Sequence, residues 1–220
     1  NLRRYNLIGD EYSWNPGLIT REIDLVILGM HARIDNPELT KARELGLDIV
    51  SFPEFVYRSC QNKKRVVIGG SHGKTTITSM IMHVLKECGR PFDYLVGSRV
   101  RGFAVMVSLN EKNDLIVIEG DEYLSSCLDP RPKFHHYHPD IAVVSGIEWD
   151  HINVFPTFEI YVEQFAEFAR QITPNGTLIY CDADVNVRTI GENTRKDVRA
   201  LSYSIPEHVI EVGITNILIN

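Results

Sequence analysis

The octet Gly69-Gly70-Ser71-His72-Gly73-Lys74-Thr75-Thr76 constrains the chain more than any other segment. It follows an apolar run over residues 65–69 that reads as a buried strand. It precedes a stretch over residues 74–88 with apolar side chains at Ile77, Met80, Ile81, Val84 and Leu85, a helical period. Strand, glycine-rich turn and helix are the context a phosphate-binding loop requires. Glycines let backbone N–H groups close around phosphate oxygens, and the helix N-terminus adds partial positive charge. In such a loop Gly70, Ser71, His72, Gly73, Lys74, Thr75 and Thr76 cradle the nucleotide. Lys74 meets the terminal phosphates and the Thr75 hydroxyl ligates Mg2+. A glycine-rich turn without ligand is the plainer alternative. The common G-x-x-x-x-G-K-[ST] pattern asks for glycine at position 68, where this chain has Ile68, so an ordinary kinase or GTPase loop fits less well.

Two further strand ends carry polar groups. Leu115-Ile116-Val117-Ile118 runs into Glu119-Gly120-Asp121-Glu122, and an acid at such an end holds the nucleotide's metal in phosphate-loop folds. Glu119, first after the apolar run, is the leading candidate, with Asp121 and Glu122 behind it. Val143-Val144-Ser145-Gly146-Ile147-Glu148-Trp149-Asp150-His151 ends another strand at the edge where α/β proteins bind ligands. His151 there reads either as a metal or phosphate contact or as a structural histidine. The cluster His135, His136 and His138 resembles a metal site superficially, but no Cys or acid pattern nearby completes one, and packing is the expected role.

Strands alternate with helices along the chain, which implies an α/β fold with a parallel sheet covered on both faces. Strands are expected at 24–28, 48–51, 65–69, 93–96, 104–107, 115–118, 141–144 and 177–180. A helix opens at Asn36-Pro37-Glu38, with Asn at N-cap and Pro at N1, and others cover 53–60, 74–88, 158–172 and a short stretch from Asp184. Tyr161, Phe165, Phe168 and Ile172 share one helix face and belong to the core. Residues 1–20 read mostly as loop, 61–64 as a linker, and the tail from Val209 as a weak hairpin.

Among 220 residues, 23 Lys and Arg face 29 Asp and Glu, and the net charge of -6 argues against bulk binding of nucleic acid or of an anionic membrane. A small phosphorylated ligand needs only a local cationic site. Cys60, Cys88, Cys127 and Cys181 are scattered without a C-x-x-C pair, consistent with a reduced cytoplasm.

With these motifs in order, the sequence resembles the Mur ligases, ATP-dependent enzymes of bacterial cell-wall precursor synthesis. GGSHGKTT resembles the family's G-T-H-G-K-T-T loop, which also lacks the first glycine. IEGDEY resembles its E-A-D-E-S-D strand end, SGIEWDHINVF its N-I-E-x-D-H segment, and LGMHARIDNPEL the N-P-E stretch near the UDP-sugar. The match runs from about Asp24 to Ile172 and fades from Ile205. It implies a partial Rossmann-like UDP-sugar domain over 1–60, then a partial central phosphate-loop ATP domain with a mainly parallel sheet over 61–220. The C-terminal substrate domain is missing, so the chain reads as a piece of a longer protein. The resemblance further implies ATP and Mg2+ as cofactors, Mg2+ on Thr75, Glu119 and His151, and substrate contacts at Asn36 and Glu38. Lys74 and His151 are the implied catalytic residues. The implied reaction joins UDP-N-acetylmuramate, through an acyl phosphate, to L-alanine or to a recycled L-alanyl-γ-D-glutamyl-meso-diaminopimelate peptide, with the peptide branch favoured. A different phosphate-loop enzyme, such as a folylpolyglutamate-synthase-like ligase or a small-molecule kinase, and a non-catalytic nucleotide-binding module are the competing expectations.

Overall fold

The computed structural model describes residues 14–204. After a 3-10 turn at Pro16–Leu18, strand β1 (Val26–Leu28) and strand β2 (Ile49–Ser51) pair in parallel across helix α1 (Pro37–Glu44). The expected helix start is observed: the Asn36 side chain accepts from the Glu38 and Leu39 amides, with Pro37 next in line. Helix α2 (Phe52–Cys60) follows β2 directly, capped by the Ser51 hydroxyl.

Strand β3 (Lys64–Gly69), helix α3 (Lys74–Glu87), strand β4 (Asp93–Leu95), strand β5 (Val107–Ser108) and strand β6 (Leu115–Glu119) begin the main sheet. A small antiparallel hairpin, β7 (Leu124–Ser126) and β8 (Asp129–Pro132), leads through a 3-10 turn (Lys133–His136) into β9 (Ile141–Val144). Helix α4 (Phe158–Arg170), strand β10 (Thr177–Cys181), helix α5 (Val185–Glu192) and strand β11 (Arg199–Tyr203) complete the described chain. The seven-stranded sheet has the order β11-β10-β9-β3-β6-β4-β5. Every pair in it is parallel except β4 with β5.

The central strands are apolar because helices cover both faces. Val67, Ile68, Ile116, Val117 and Ile118 are fully buried. On one face Ile77, Ile81 and Leu85 of α3 pack on Ile68, Val117 and Val143. On the other, Tyr161, Phe165 and Phe168 of α4 join Phe134, while Val56 and Cys60 of α2 enter the same core. Each such side chain contributes roughly 1.5–3 kcal/mol on leaving water.

Several expectations are corrected. Met80 and Val84 of α3 are 62% and 57% exposed, and Thr78 and Met82 are buried in their place. The buried arc of α3 is rotated toward β4, where Met82 meets Tyr94 and Val96. The strand expected at 104–107 shrinks to Val107–Ser108 and runs antiparallel at the sheet edge. The hairpin β7–β8 and strand β11 were not expected at all. The tail expected to form a hairpin from Val209 lies outside the described residues. No described helix is long and apolar enough to cross a membrane.

Candidate active site

The phosphate-type loop leaves β3 at Gly69 and enters α3 at Lys74. Ile68 is still inside β3, paired with Glu119 and Val143, so the sheet continues where the common loop already turns. Gly70 has φ +138, and a Cβ there would come within 2.1 Å of the Ser145 hydroxyl. Only glycine fits that approach. The first amides of α3 have no intrahelical acceptors and remain available to an anion.

The end of β9 braces the loop. The Ser71 amide donates to the Gly146 carbonyl at 3.0 Å, and the Ser145 amide donates to the Gly69 carbonyl at 3.1 Å. The Ser145 hydroxyl donates to the His72 carbonyl at 2.7 Å. The Ser71 hydroxyl points inward, accepting from the Glu148 amide at 2.8 Å and lying 3.0 Å from the Tyr161 hydroxyl. Its side chain therefore shapes the loop. His72 is exposed, with Nε2 2.8 Å from the Glu148 carboxylate. Thr76 is the third residue of α3, next to Thr75.

Two of the three acids at the end of β6 face the phosphate loop. Glu119 accepts from the Thr75 hydroxyl at 2.7 Å and from the Gly97 amide at 2.9 Å. Glu122 is 1% exposed and faces Lys74, whose Nζ lies 2.8 Å from Oε2 and 3.1 Å from Oε1. Lys74 also donates to the Gly70 carbonyl at 2.6 Å. The Tyr161 hydroxyl donates to Glu122 Oε1 at 3.3 Å, and burial, above all, pushes the Tyr161 phenol pKa up. His151 Nε2 comes 3.4 Å from Glu122 Oε1, so His151 and Thr75 lean on different acids. His151 itself takes a left-handed conformation, φ +54, held by the Val154 and Phe155 amides on its carbonyl and by the edge of Tyr123.

The donor set suits a hard divalent cation. Among the described residues, Glu122, Asp150 and His151 bring ligand atoms within 4.8 Å of one another. Glu122 Oε2, close to Lys74 but off the line of its N–H bonds, is buried without a hydrogen-bond partner. A second oxygen pair joins Thr75 at the start of α3 to Glu119 at the end of β6.

A cavity of about 490 Å3 opens at the carboxyl ends of β4 and β6. Its walls include Met30 from the loop after β1, Phe52 at the start of α2, Leu95, Glu119, Asp121 and Lys133. Burial works to raise the Asp121 pKa, but the hydrogen bond and charge of Lys133 outweigh it and hold the carboxyl below its usual range.

Asn36 and Glu38 do not line this cavity. Asn36 caps α1, and Glu38 accepts from the Asn15 amide at 2.8 Å. The histidine cluster packs, as expected: His135 stacks on Phe134 and contacts the Gln164 carbonyl at 2.8 Å, His136 faces Asp129, and His138 leans on Tyr57. Sequence reasoning missed Glu122 as the hub of the site, and also Tyr161, Asp150 and Lys133. The acid run Glu119–Glu122 contained the signal for Glu122, but only the turn at Gly120 decides which acid faces which partner.

Fold and loop define a phosphate-loop α/β domain with a cleft at its carboxyl edge. The Mur ligase middle domain model matches residues 68–217, and the chain belongs to the Mur ligase family. That match continues past Ile205, where the sequence resemblance was expected to fade. The UDP-N-acetylmuramate–L-alanine ligase of Mycolicibacterium paratuberculosis is 32% identical over 185 residues, covering 83% of this chain and 36% of that protein. The UDP-N-acetylmuramate:L-alanyl-γ-D-glutamyl-meso-diaminopimelate ligase of Neisseria meningitides aligns with TM-score 0.73 and 26% identity, over 82% of this chain and 58% of that one. The UDP-N-acetylmuramate–alanine ligase of Thermotoga maritima shares the fold, with TM-score 0.67, 20% identity and coverage of 89% and 42%. The chain spans a little over a third of the curated relative's length.

Proposed function

We propose that the protein is an ATP-dependent ligase that joins the carboxylate of UDP-N-acetylmuramate to the amino group of L-alanine or of an L-alanyl-γ-D-glutamyl-meso-diaminopimelate peptide. The observation that carries this reading is Glu119. Its carboxylate accepts from the phosphate-loop Thr75 and the same residue lines the cavity, so a phosphorylated reactant and a cavity-bound acid would meet there. The names of the relatives support both acceptors: the curated ones take L-alanine, and the peptide ligase of Neisseria meningitides is a strong structural likeness. In this reading residues up to about 60 contribute to the sugar-nucleotide unit and the remainder to the ATP unit. Asn36 and Glu38 stand on the sugar side, and the enzyme works in the bacterial cytoplasm.

The family resemblance implies the chemistry, and the groups present suit it. The acid's oxygen attacks the γ-phosphorus of ATP, the bond to the β-phosphate oxygen breaks, and ADP leaves an acyl phosphate. The amino group adds to the acyl carbon, and the tetrahedral intermediate expels inorganic phosphate as the nitrogen loses a proton. Lys74 exchanges Glu122 and the Gly70 carbonyl for the terminal phosphates. Ser71 and Tyr161 keep the loop in shape while it does so, and His72, Gly73 and Thr76 line the same loop. Thr75 and Glu119 would hold one Mg2+, and His151 with Glu122 and Asp150 a second; such ions would supply charge neutralisation around the transferring phosphoryl group.

Phosphate release from ATP by the whole protein should require UDP-N-acetylmuramate and an amine together. Running L-alanine and the tripeptide side by side identifies the acceptor. Release with neither, or phosphoryl transfer to the sugar acid with no amide product in the presence of either amine, overturns the reading.

A further inference from the structure

Lys133 lies on the cavity wall in the 3-10 turn after β8, and its side chain is 15% exposed. Among the described residues it is the only Lys or Arg on that wall, which also carries Glu119 and Asp121. Its Nζ meets Asp121 Oδ2 at 2.5 Å. Its other recorded partner is the Met30 sulfur, 2.8 Å away on the loop after β1. A thioether is a weak acceptor, and an ammonium has three strong donors. Lys133 is thus a largely buried cation with one full-strength partner and one N–H aimed at a group that an anionic oxygen would readily displace.

We propose that Lys133 is the specificity residue that reads the acid group of the sugar nucleotide, bridging Asp121 and the incoming carboxylate. This rests on the ligase reading above. A carboxylate approaching a triphosphate is repelled by it, and Lys74 does not line the cavity and is engaged with Glu122. Lys133 supplies the compensating charge from the cavity wall, which Glu119 also lines. Met30 yields its place to the substrate oxygen, so that filling the cavity releases the contact between Lys133 and the loop after β1.

The test compares equilibrium binding of UDP-N-acetylmuramate and of UDP-N-acetylglucosamine, the same nucleotide sugar without the lactyl acid, to the whole protein. The native protein should prefer the acid by about tenfold to a hundredfold, the range expected of one hydrogen bond to a charged group. Lys133→Met should erase the preference while ATP binding persists, and Lys133→Arg should restore part of it. Asp121→Asn, which frees Lys133 from its partner, should keep or enlarge the preference. A pair that merely braces the fold would make Asp121→Asn and Lys133→Met behave alike, and that result overturns the proposal. So does a Lys133→Met protein that still favours the acid. If the native protein binds both sugars equally, Lys133 is not the reader, although ligase turnover can still stand. If it binds neither sugar, the functional reading falls as well.

Discussion

Lys74 is folded back onto its own loop, with Nζ 2.8 Å from the buried Glu122 carboxylate and 2.6 Å from the Gly70 carbonyl. The cation that should meet ATP is already paired with an acid from the neighbouring strand end. Removing Glu122 leaves Lys74 with too little compensation in a site that is 15% exposed. Glu122→Ala should lower stability by about 3–5 kcal/mol, read from urea denaturation. Lys74→Ala should leave the protein folded and cut turnover by about 10²–10³-fold, read as ATP-dependent phosphate release.

Thr75 and Glu119 form the other oxygen pair. Thr75→Val keeps the shape of the side chain and removes the hydroxyl. The Mg2+ concentration for half-maximal turnover should rise by about tenfold or more. An unchanged Mg2+ titration would remove Thr75 from the metal site.

Tyr161 reaches from the core of α4 to Ser71 and Glu122. Tyr161→Phe deletes one hydroxyl and should cost about 1 kcal/mol of stability. Because the loop loses a brace, ATP affinity should fall as well. A loss of stability with ATP affinity unchanged would reduce Tyr161 to a core residue.

Burial is the main cause that lowers the pKa values of His135, His136 and His138 below the usual histidine value. The folded protein therefore binds fewer protons at these sites than the unfolded chain does. Stability is full above about pH 6.5 and declines as pH falls through that value toward the lower native pKa values. His135→Gln should flatten part of that decline in a series of melting curves from pH 8 to pH 5. A variant with the native slope would show that His135 titrates normally in the fold.

The parts of the molecule written as local patterns were legible in the sequence. Strand β3, the loop and α3 announce themselves by an apolar run, glycines and a helical period. The start of α1 is marked by Asn36-Pro37. What was missed depends on tertiary context. Strand β8 contains Pro130 and Pro132, residues that argue against a strand, and it forms because the hairpin is small and exposed to one partner only. Met80 and Val84 fit the period of α3 but not its packing, since β4 draws Met82 and Thr78 inward instead. The separation of Glu119 from Glu122 depends on Gly120, where a Cβ would sit 2.9 Å from Val67 Cγ1. That turn sends Glu122 toward Lys74 and Asp121 toward Lys133, and no spacing rule states it.

Glu119 belongs to two compartments at once, its carboxylate clasping Thr75 of the loop and the residue lining the cavity. In the proposed ligase such sharing would couple the nucleotide to the acid, and linkage makes any coupling of that kind reciprocal. Whatever factor the nucleotide imposes on the affinity of the acid, the acid must return to the nucleotide in full. In the proposed ligase a single side chain would thereby let each compartment register whether the other is filled.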